Sequence, residues 1–261
     1  NQVGLAQQMV AADMPAVWRM AQNAHNVVLD LALWAGIPLA LIWLVSVGIW
    51  AARRISACRD LDAWCVLATV GAILLHAMLE YPLDHAYFLL PLGLLMGSLE
   101  PLRPASGRRL LSPLTLAVPT LASLAMLGWI GTEYLRLEQA NRDLRLLLAG
   151  VGIDRVRSVP APDVRLLDAP REYHRFMHTR ARAGMSATEL DWMRAVSQRN
   201  PFPPAMLRYA LAAGLNGRPA EAGLTLRRLC AMHPPDRCQE GREAWRSAQQ
   251  AHPALREVPA P

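Results

Sequence analysis

Two short clusters in this 261-residue chain carry the side chains best suited to chemistry. The first is Asn23-Ala24-His25-Asn26, with Arg19 six residues before His25. The second is Glu80-Tyr81-Pro82-Leu83-Asp84-His85. Imidazole is the side-chain type suited to take or give a proton near neutral pH, which makes His25 the candidate for that role. Beside it the clusters hold carboxylates, a phenol, amides and one guanidinium. The plain alternatives are structural: a histidine that caps a helix, a tyrosine anchored at a membrane edge, and a Glu80 that is solvated or orients His85.

Composition says what must position these clusters. Hydrophobic residues make up 53% of the chain and charged residues 18%, where soluble proteins are about a quarter charged. Mean hydropathy is +0.15, and nothing suggests a collagenous, disulfide-dense or disordered chain. All 27 basic residues are Arg. Up to Ile130 there are 7 Arg against 7 Asp and Glu; beyond it, 20 against 14. The apolar half is thus neutral and the polar half carries the whole net charge of +6. The lack of Lys reflects codon bias more than physics, so the pI near 9.7 does not imply nucleic acid. The chain opens on Asn rather than Met, which predicts a segment of a longer protein, inactive alone.

Apolar runs of about 20 residues match the hydrocarbon core of a bilayer. Residues 31–50, 63–79, 81–99 and 110–130 are such runs. The second contains His76, and the fourth contains Pro113 and Pro119, which membrane helices tolerate. Arg53, Arg54 and Arg59 fall between the first two runs, and Arg103, Arg108 and Arg109 between the last two; the 80–85 turn has no Arg. Basic loops mark the cytoplasmic side. Four spans then place the His25 and Glu80 clusters and the C-terminal half outside, which is the periplasm if the source is a Gram-negative bacterium. A soluble helical bundle would not need Arg to alternate between sides. The first run is too long, and lacks the cleavage site, for a signal peptide. Helices joined by short turns bring both clusters to one depth, facing one cavity.

The expected fold class is all-α, a polytopic region followed by a small extracytoplasmic helical domain. Its parts are the end of a periplasmic loop (1–28), a membrane region of about four spans (29–132), a helical extension (133–157) and a periplasmic domain (158–261). Glu138 and Arg142 suit a solvated helix face in the extension, which Gly150 and Gly152 end. Residues 158–162 form a linker. Helices are predicted over 173–183 and 186–198, the latter with Ser186 and Glu189 as a capping box. Asn200-Pro-Phe-Pro-Pro204 breaks the chain, and two helices flank Asn216-Gly217-Arg218-Pro219. Gly217, Ala222 and Pro234 resemble the end of a tetratricopeptide repeat, so the domain is expected to be partly of that type. Cys230 and Cys238, across a Pro-containing loop in an oxidising compartment, predict a disulfide; Cys58 and Cys65 are expected to be reduced. His174 and His178 have two-ligand metal spacing, but a surface helix is the expected reading. Asp30 is placed to cap a helix or line the cavity. Trp34, Trp43, Trp50 and Trp129 suit interfacial roles. No Cys/His spacing fits zinc and no Asp-x-Asp pair stands in an outward loop, so no metal or cofactor is expected.

His25-Asn26-x-x-Leu29 running into Gly36-Ile37-Pro38 resembles the motif that ends the long periplasmic loop of O-antigen ligases. Glu80-Tyr81-Pro82-Leu83 followed by Ala86-Tyr87-Phe88-Leu89 and Gly93 resembles the branch holding bacterial O-linked protein oligosaccharyltransferases, whose downstream part is a membrane-bound virulence-factor polymerase C-terminal region. The resemblance is strongest over residues 20–100. Trp34 departs from it, since the wider ligase pattern has Glu there. It implies a metal-free glycosyltransferase at the periplasmic face of the inner membrane. The donor would be an oligosaccharide on undecaprenyl pyrophosphate, and the acceptor a protein Ser/Thr hydroxyl, as on a pilin, or a lipid A-core sugar. It also implies that His25 and Tyr81 are catalytic, with Arg19, Asn26, Glu80 and His85 binding substrate; Arg19 would pair with the pyrophosphate. Two rivals stand beside it: an O-antigen polymerase of the same superfamily, and a non-catalytic membrane scaffold or transporter subunit whose tail recruits partners.

Overall fold

The computed structural model describes residues 2–100, 113–148 and 162–258. Arg103, Arg108, Arg109, Gly150, Gly152 and residues 158–161 of the expected linker lie outside them. All regular structure among the described residues is helical. The chain divides into two compact units, one of residues 1–7 and 21–110, the other of residues 8–20 and 111–261. The first helix, α1 (Gln2–Val10), is shared between them.

The first unit holds α2 (Val27–Ala35), α3 (Ile37–Ala57), α4 (Leu61–Ala77), a 3-10 turn (Pro82–Asp84) and α5 (Ala86–Ser98). The run expected as one span over 31–50 is in fact two helices. Gly36 sits at φ +89°, a conformation side chains oppose, and Pro38 follows in the first turn of α3; the chain breaks there although hydropathy does not. α3 has 21 residues, roughly 31 Å at 1.5 Å each. It is long and apolar enough to cross a membrane. Leu39, Leu41, Ile42, Leu44, Val45 and Ile49 all stand exposed along it, an arrangement suited to lipid. The apolar helices α4 and α5 are shorter, at 17 and 13 residues.

These helices alternate in direction. Asp60 caps α4, accepting from the Ala63 N–H at 2.8 Å. Arg54 near the end of α3 donates to Glu100 at 2.5 Å and to the Leu99 carbonyl at 3.2 Å, and the Trp50 indole donates to Glu100 at 3.1 Å. The C-terminal ends of α3 and α5 therefore meet. The start of α2 meets the end of α4 instead, where the Asn26 amide donates to the Met78 carbonyl at 2.9 Å.

In the second unit, α6 (Pro113–Leu148) is a single helix of 36 residues. Its first half exposes Leu114, Val118, Leu121, Leu124 and Leu127; its second half buries Glu133, Leu137, Ala140 and Leu144, a stripe three to four residues apart. Glu138 pairs with Arg145, two turns on, at 2.8 Å. Then come α7 (Asp168–His178), α8 (Ala187–Arg199), α9 (Pro203–Leu215), α10 (Pro219–Met232) and α11 (Pro235–Ala251). Ser186 caps α8 by accepting from the Glu189 N–H at 3.1 Å, while the Glu189 carboxylate turns to Arg182 rather than completing the box. α9 and α10 pack together across Asn216-Gly217-Arg218 around a core of Phe176, Met193, Tyr209, Leu226, Trp245 and Leu255. Gly214 in α9 makes room for Leu255 of the C-terminal segment, whose side chain a Cβ there would meet at 2.6 Å. A disulfide joins Cys230 in α10 to Cys238 in α11, across the His233-Pro234 turn. His174, expected on a surface helix, is wholly buried, because α7 lays that face against the α6 stripe.

Candidate active site

The N-terminus of α2 leaves backbone N–H groups that need acceptors. Asn26 supplies one: its Oδ1 accepts from Val28 and Leu29 at 3.0 and 3.1 Å. With its amide held by Met78, Asn26 uses both ends of its side chain on backbone, and so ties the first cluster to the turn after α4. Two more bonds shape the cluster. The buried Asp30 carboxylate accepts from the Ala24 N–H at 2.8 Å, and the Asn23 amide donates to Asp84 at 3.1 Å.

His25 is held between these bonds with φ +54°, a left-handed backbone that is costly for a residue with a side chain, by about 1–2 kcal/mol. Its Nδ1 lies 2.7 Å from Glu80 Oε2. Glu80 thus meets His25, not the His85 considered from the sequence; the Asn26–Met78 bond sets the two turns so that residue 80 lands beside residue 25. The His25 ring meets Tyr81 edge-on, centroids 5.0 Å apart at 77°. Tyr81 continues to His85 at 6.0 Å, and His85 stacks on Tyr87 at 5.1 Å.

Two cavities flank this step. One, of about 170 Å³, is lined by Asp30, Trp34, Trp43, Glu80, Tyr81 and Asp84 among others. The second, of about 240 Å³, is lined by His76, Glu80, Tyr81, His85, Tyr87 and Phe88 with Pro82. Glu80 and Tyr81 border both. The Glu80 carboxylate and Tyr81 phenol at the shared rim, with the His25 imidazole against both, can orient a hydroxyl and move its proton. Among the described residues, no three His, Cys, Asp or Glu side chains converge as a metal ion requires.

The fold therefore gathers His25, Asn26, Glu80, Tyr81 and His85 at one end of the first unit. Arg19 belongs to the second unit, on a segment whose Val17 and Trp18 N–H groups donate to the Ala231 carbonyl at 3.1 and 3.3 Å. Asp30, which the sequence places to cap the helix or line the cavity, stands in the lining of the first cavity and also accepts from the Ala24 N–H of the preceding loop.

The chain is 27% identical over 243 residues to the "General O-oligosaccharyltransferase" of Acinetobacter baylyi (strain ATCC 33305 / BD413 / ADP1), covering 90% of this chain and 41% of that protein. It is 30% identical over 97 residues to the "ComP-specific O-oligosaccharyltransferase" of the same strain, covering 37% of this chain and 18% of the relative. It spans less than half the length of these curated relatives. No solved structure matches it. A family model described as "Virulence factor membrane-bound polymerase, C-terminal" matches residues 64–249, which take in Glu80, Tyr81 and the helices through most of α11. The chain belongs to that membrane-bound polymerase C-terminal family, within the O-antigen ligase-like and O-oligosaccharyltransferase group.

Proposed function

We propose that this chain is the C-terminal part of an inner-membrane glycosyltransferase that moves an oligosaccharide from undecaprenyl pyrophosphate to a hydroxyl acceptor at the periplasmic face. One observation carries the reading. The His25 imidazole and the Tyr81 phenol, from turns 56 residues apart in the chain, meet ring to ring at 5.0 Å beside two cavities. The acceptor oxygen attacks the anomeric carbon, the bond from that carbon to the pyrophosphate oxygen breaks, and undecaprenyl pyrophosphate leaves. The hydroxyl proton passes to His25, while Tyr81 donates to a phosphate oxygen or orients the acceptor. His85, which lines the second cavity, is assigned to the substrate rim.

Four spans fit this reading, with the His25 end outside and the Arg54 end inside. Support comes from the length of α3, the alternating helix directions and the exposed leucines of α6. Residues 1–28, 29–132, 133–157 and 158–261 are then loop end, membrane region, extension and periplasmic domain, the last partly tetratricopeptide-like in its α9–α10 pair. A protein hydroxyl is the favoured acceptor. The tail carries a groove of about 460 Å³ lined by Phe202, Pro203, Leu207, Leu229, Arg237 and Glu240, with further residues, and such helical domains commonly take polypeptide.

The test is His25→Ala in the full-length protein, supplied with a lipid-linked oligosaccharide and a pilin-like acceptor. Transfer should fall by about 10²-fold or more while the protein still reaches the membrane. Unchanged transfer removes His25 from the mechanism and favours the scaffold alternative.

A further inference from the structure

We propose that Glu80 is the positioning residue for His25, fixing which imidazole nitrogen takes the proton; this rests on the reading of His25 as proton acceptor. An ionised carboxylate can only accept hydrogen bonds. The 2.7 Å contact between Glu80 Oε2 and His25 Nδ1 therefore puts the hydrogen on Nδ1. In the neutral ring the lone pair is then on Nε2, the nitrogen away from Glu80. The edge-on contact with Tyr81 fixes the ring plane as well. Base, orienting carboxylate and adjacent phenol thus stand in one row across two turns. Such an arrangement, in which a third group selects tautomer and direction, is how imidazole bases are made effective.

Stability does not account for the pair. Both side chains are about half exposed, at 55% and 51%, and exposed ion pairs contribute little. The cross-turn ties through Asn26 and Asn23 already hold the turns together. What the Glu80 contact adds is direction.

The inference differs from the sequence-based assignment of Glu80 to substrate. A substrate ligand would act through affinity; a positioning residue acts through turnover and through the state of His25. Full-length protein with 15N-labelled histidine, read by NMR in lipid nanodiscs with His25→Ala to identify the resonance, should show His25 protonated at Nδ1. Glu80→Ala should shift it toward the Nε2-protonated form that free imidazole side chains prefer. Glu80→Gln, whose carbonyl can still accept, should keep the Nδ1–H form. In transfer assays Glu80→Ala should lower kcat by about 10²-fold with KM for donor and acceptor within about threefold, and Glu80→Gln should lose less. An Nε2-protonated His25 in the unsubstituted protein overturns the proposal. So does a Glu80→Ala defect confined to KM, or one that Glu80→Gln shares in full. Full transfer by His25→Ala instead sinks the underlying reading of His25, while leaving the tautomer result to stand by itself.

Discussion

Asn26 does two jobs that substitution can separate. Its Oδ1 caps α2 and its Nδ2 holds the carbonyl of Met78. Asn26→Asp keeps the acceptor, placed favourably at a helix N-terminus, and loses the donor. It should preserve the melting temperature to within a few degrees yet slow transfer, because the His25 turn is no longer tied to the end of α4. Asn26→Ala loses both, and should cost about 1 kcal/mol more stability through the missing cap. Thermal scans beside transfer rates distinguish them; equal rates for wild type and Asn26→Asp would mean that the Met78 bond does not position the site. The motif His25-Asn26 was visible in the chain, but this division of labour was not. Its partner is a backbone carbonyl 52 residues away, which no residue type announces.

At the scale of elements, the junction of α6 with α7 holds three groups whose protonation bears on stability. The buried Glu133 carboxylate accepts from the N–H groups of Arg165, Leu166 and Leu167 at 2.9, 2.8 and 3.1 Å and from the Trp129 indole at 2.9 Å. Burial opposes its ionisation, but these four donors outweigh burial and hold its pKa below 4.5. Its contribution to stability is therefore complete above that value and is lost as pH falls through the lowered one. His174 and His178, with ring centroids 4.7 Å apart, are pushed below the ordinary imidazole value by burial, the Ala140 backbone opposing at His174 and the His174 and Arg208 charges adding at His178. Protons then bind the unfolded chain more readily, so stability also drops as pH falls below about 6.5. Tryptophan-fluorescence melts, with Trp192 and Trp245 as reporters, should show both windows. His174→Leu should shrink the upper one. Glu133→Gln should lower stability at pH 7 and flatten the window below 4.5.

These elements also show where sequence reading works. The capped, amphipathic α8 and the proline break at 200–204 are written locally, and the structure has them within a residue or two. α11 is not: its buried positions are Cys238, Gly241 and Trp245 amid charged and polar neighbours, too sparse an apolar stripe to stand out. Glu133 meets its partners 32–34 residues along the chain, a distance no periodicity spans. The break at Gly36 hides inside an apolar run because hydropathy does not register a backbone angle.

For the whole molecule, the decisive question is which end of the helices faces out, and the cysteines can answer it. Cys58 closes α3 at the end where Arg54 meets Glu100, the end assigned to the cytoplasm. Cys230 and Cys238 form a disulfide in the tail, which suits an oxidising compartment. Both assignments follow from one orientation, so they stand or fall together. A membrane-impermeant maleimide applied to intact spheroplasts expressing the full-length protein should leave Cys58 unlabelled until the membrane is opened, with Cys58→Ser as control. The tail cysteines should label in intact spheroplasts once an impermeant phosphine has reduced them, and Cys230→Ser/Cys238→Ser should abolish that signal. Labelling of Cys58 from outside, or protection of the reduced tail, would reverse the molecule. His25, Glu80 and Tyr81 would then face the cytoplasm, away from any acceptor in the periplasm, and the transferase reading would lose its substrate side.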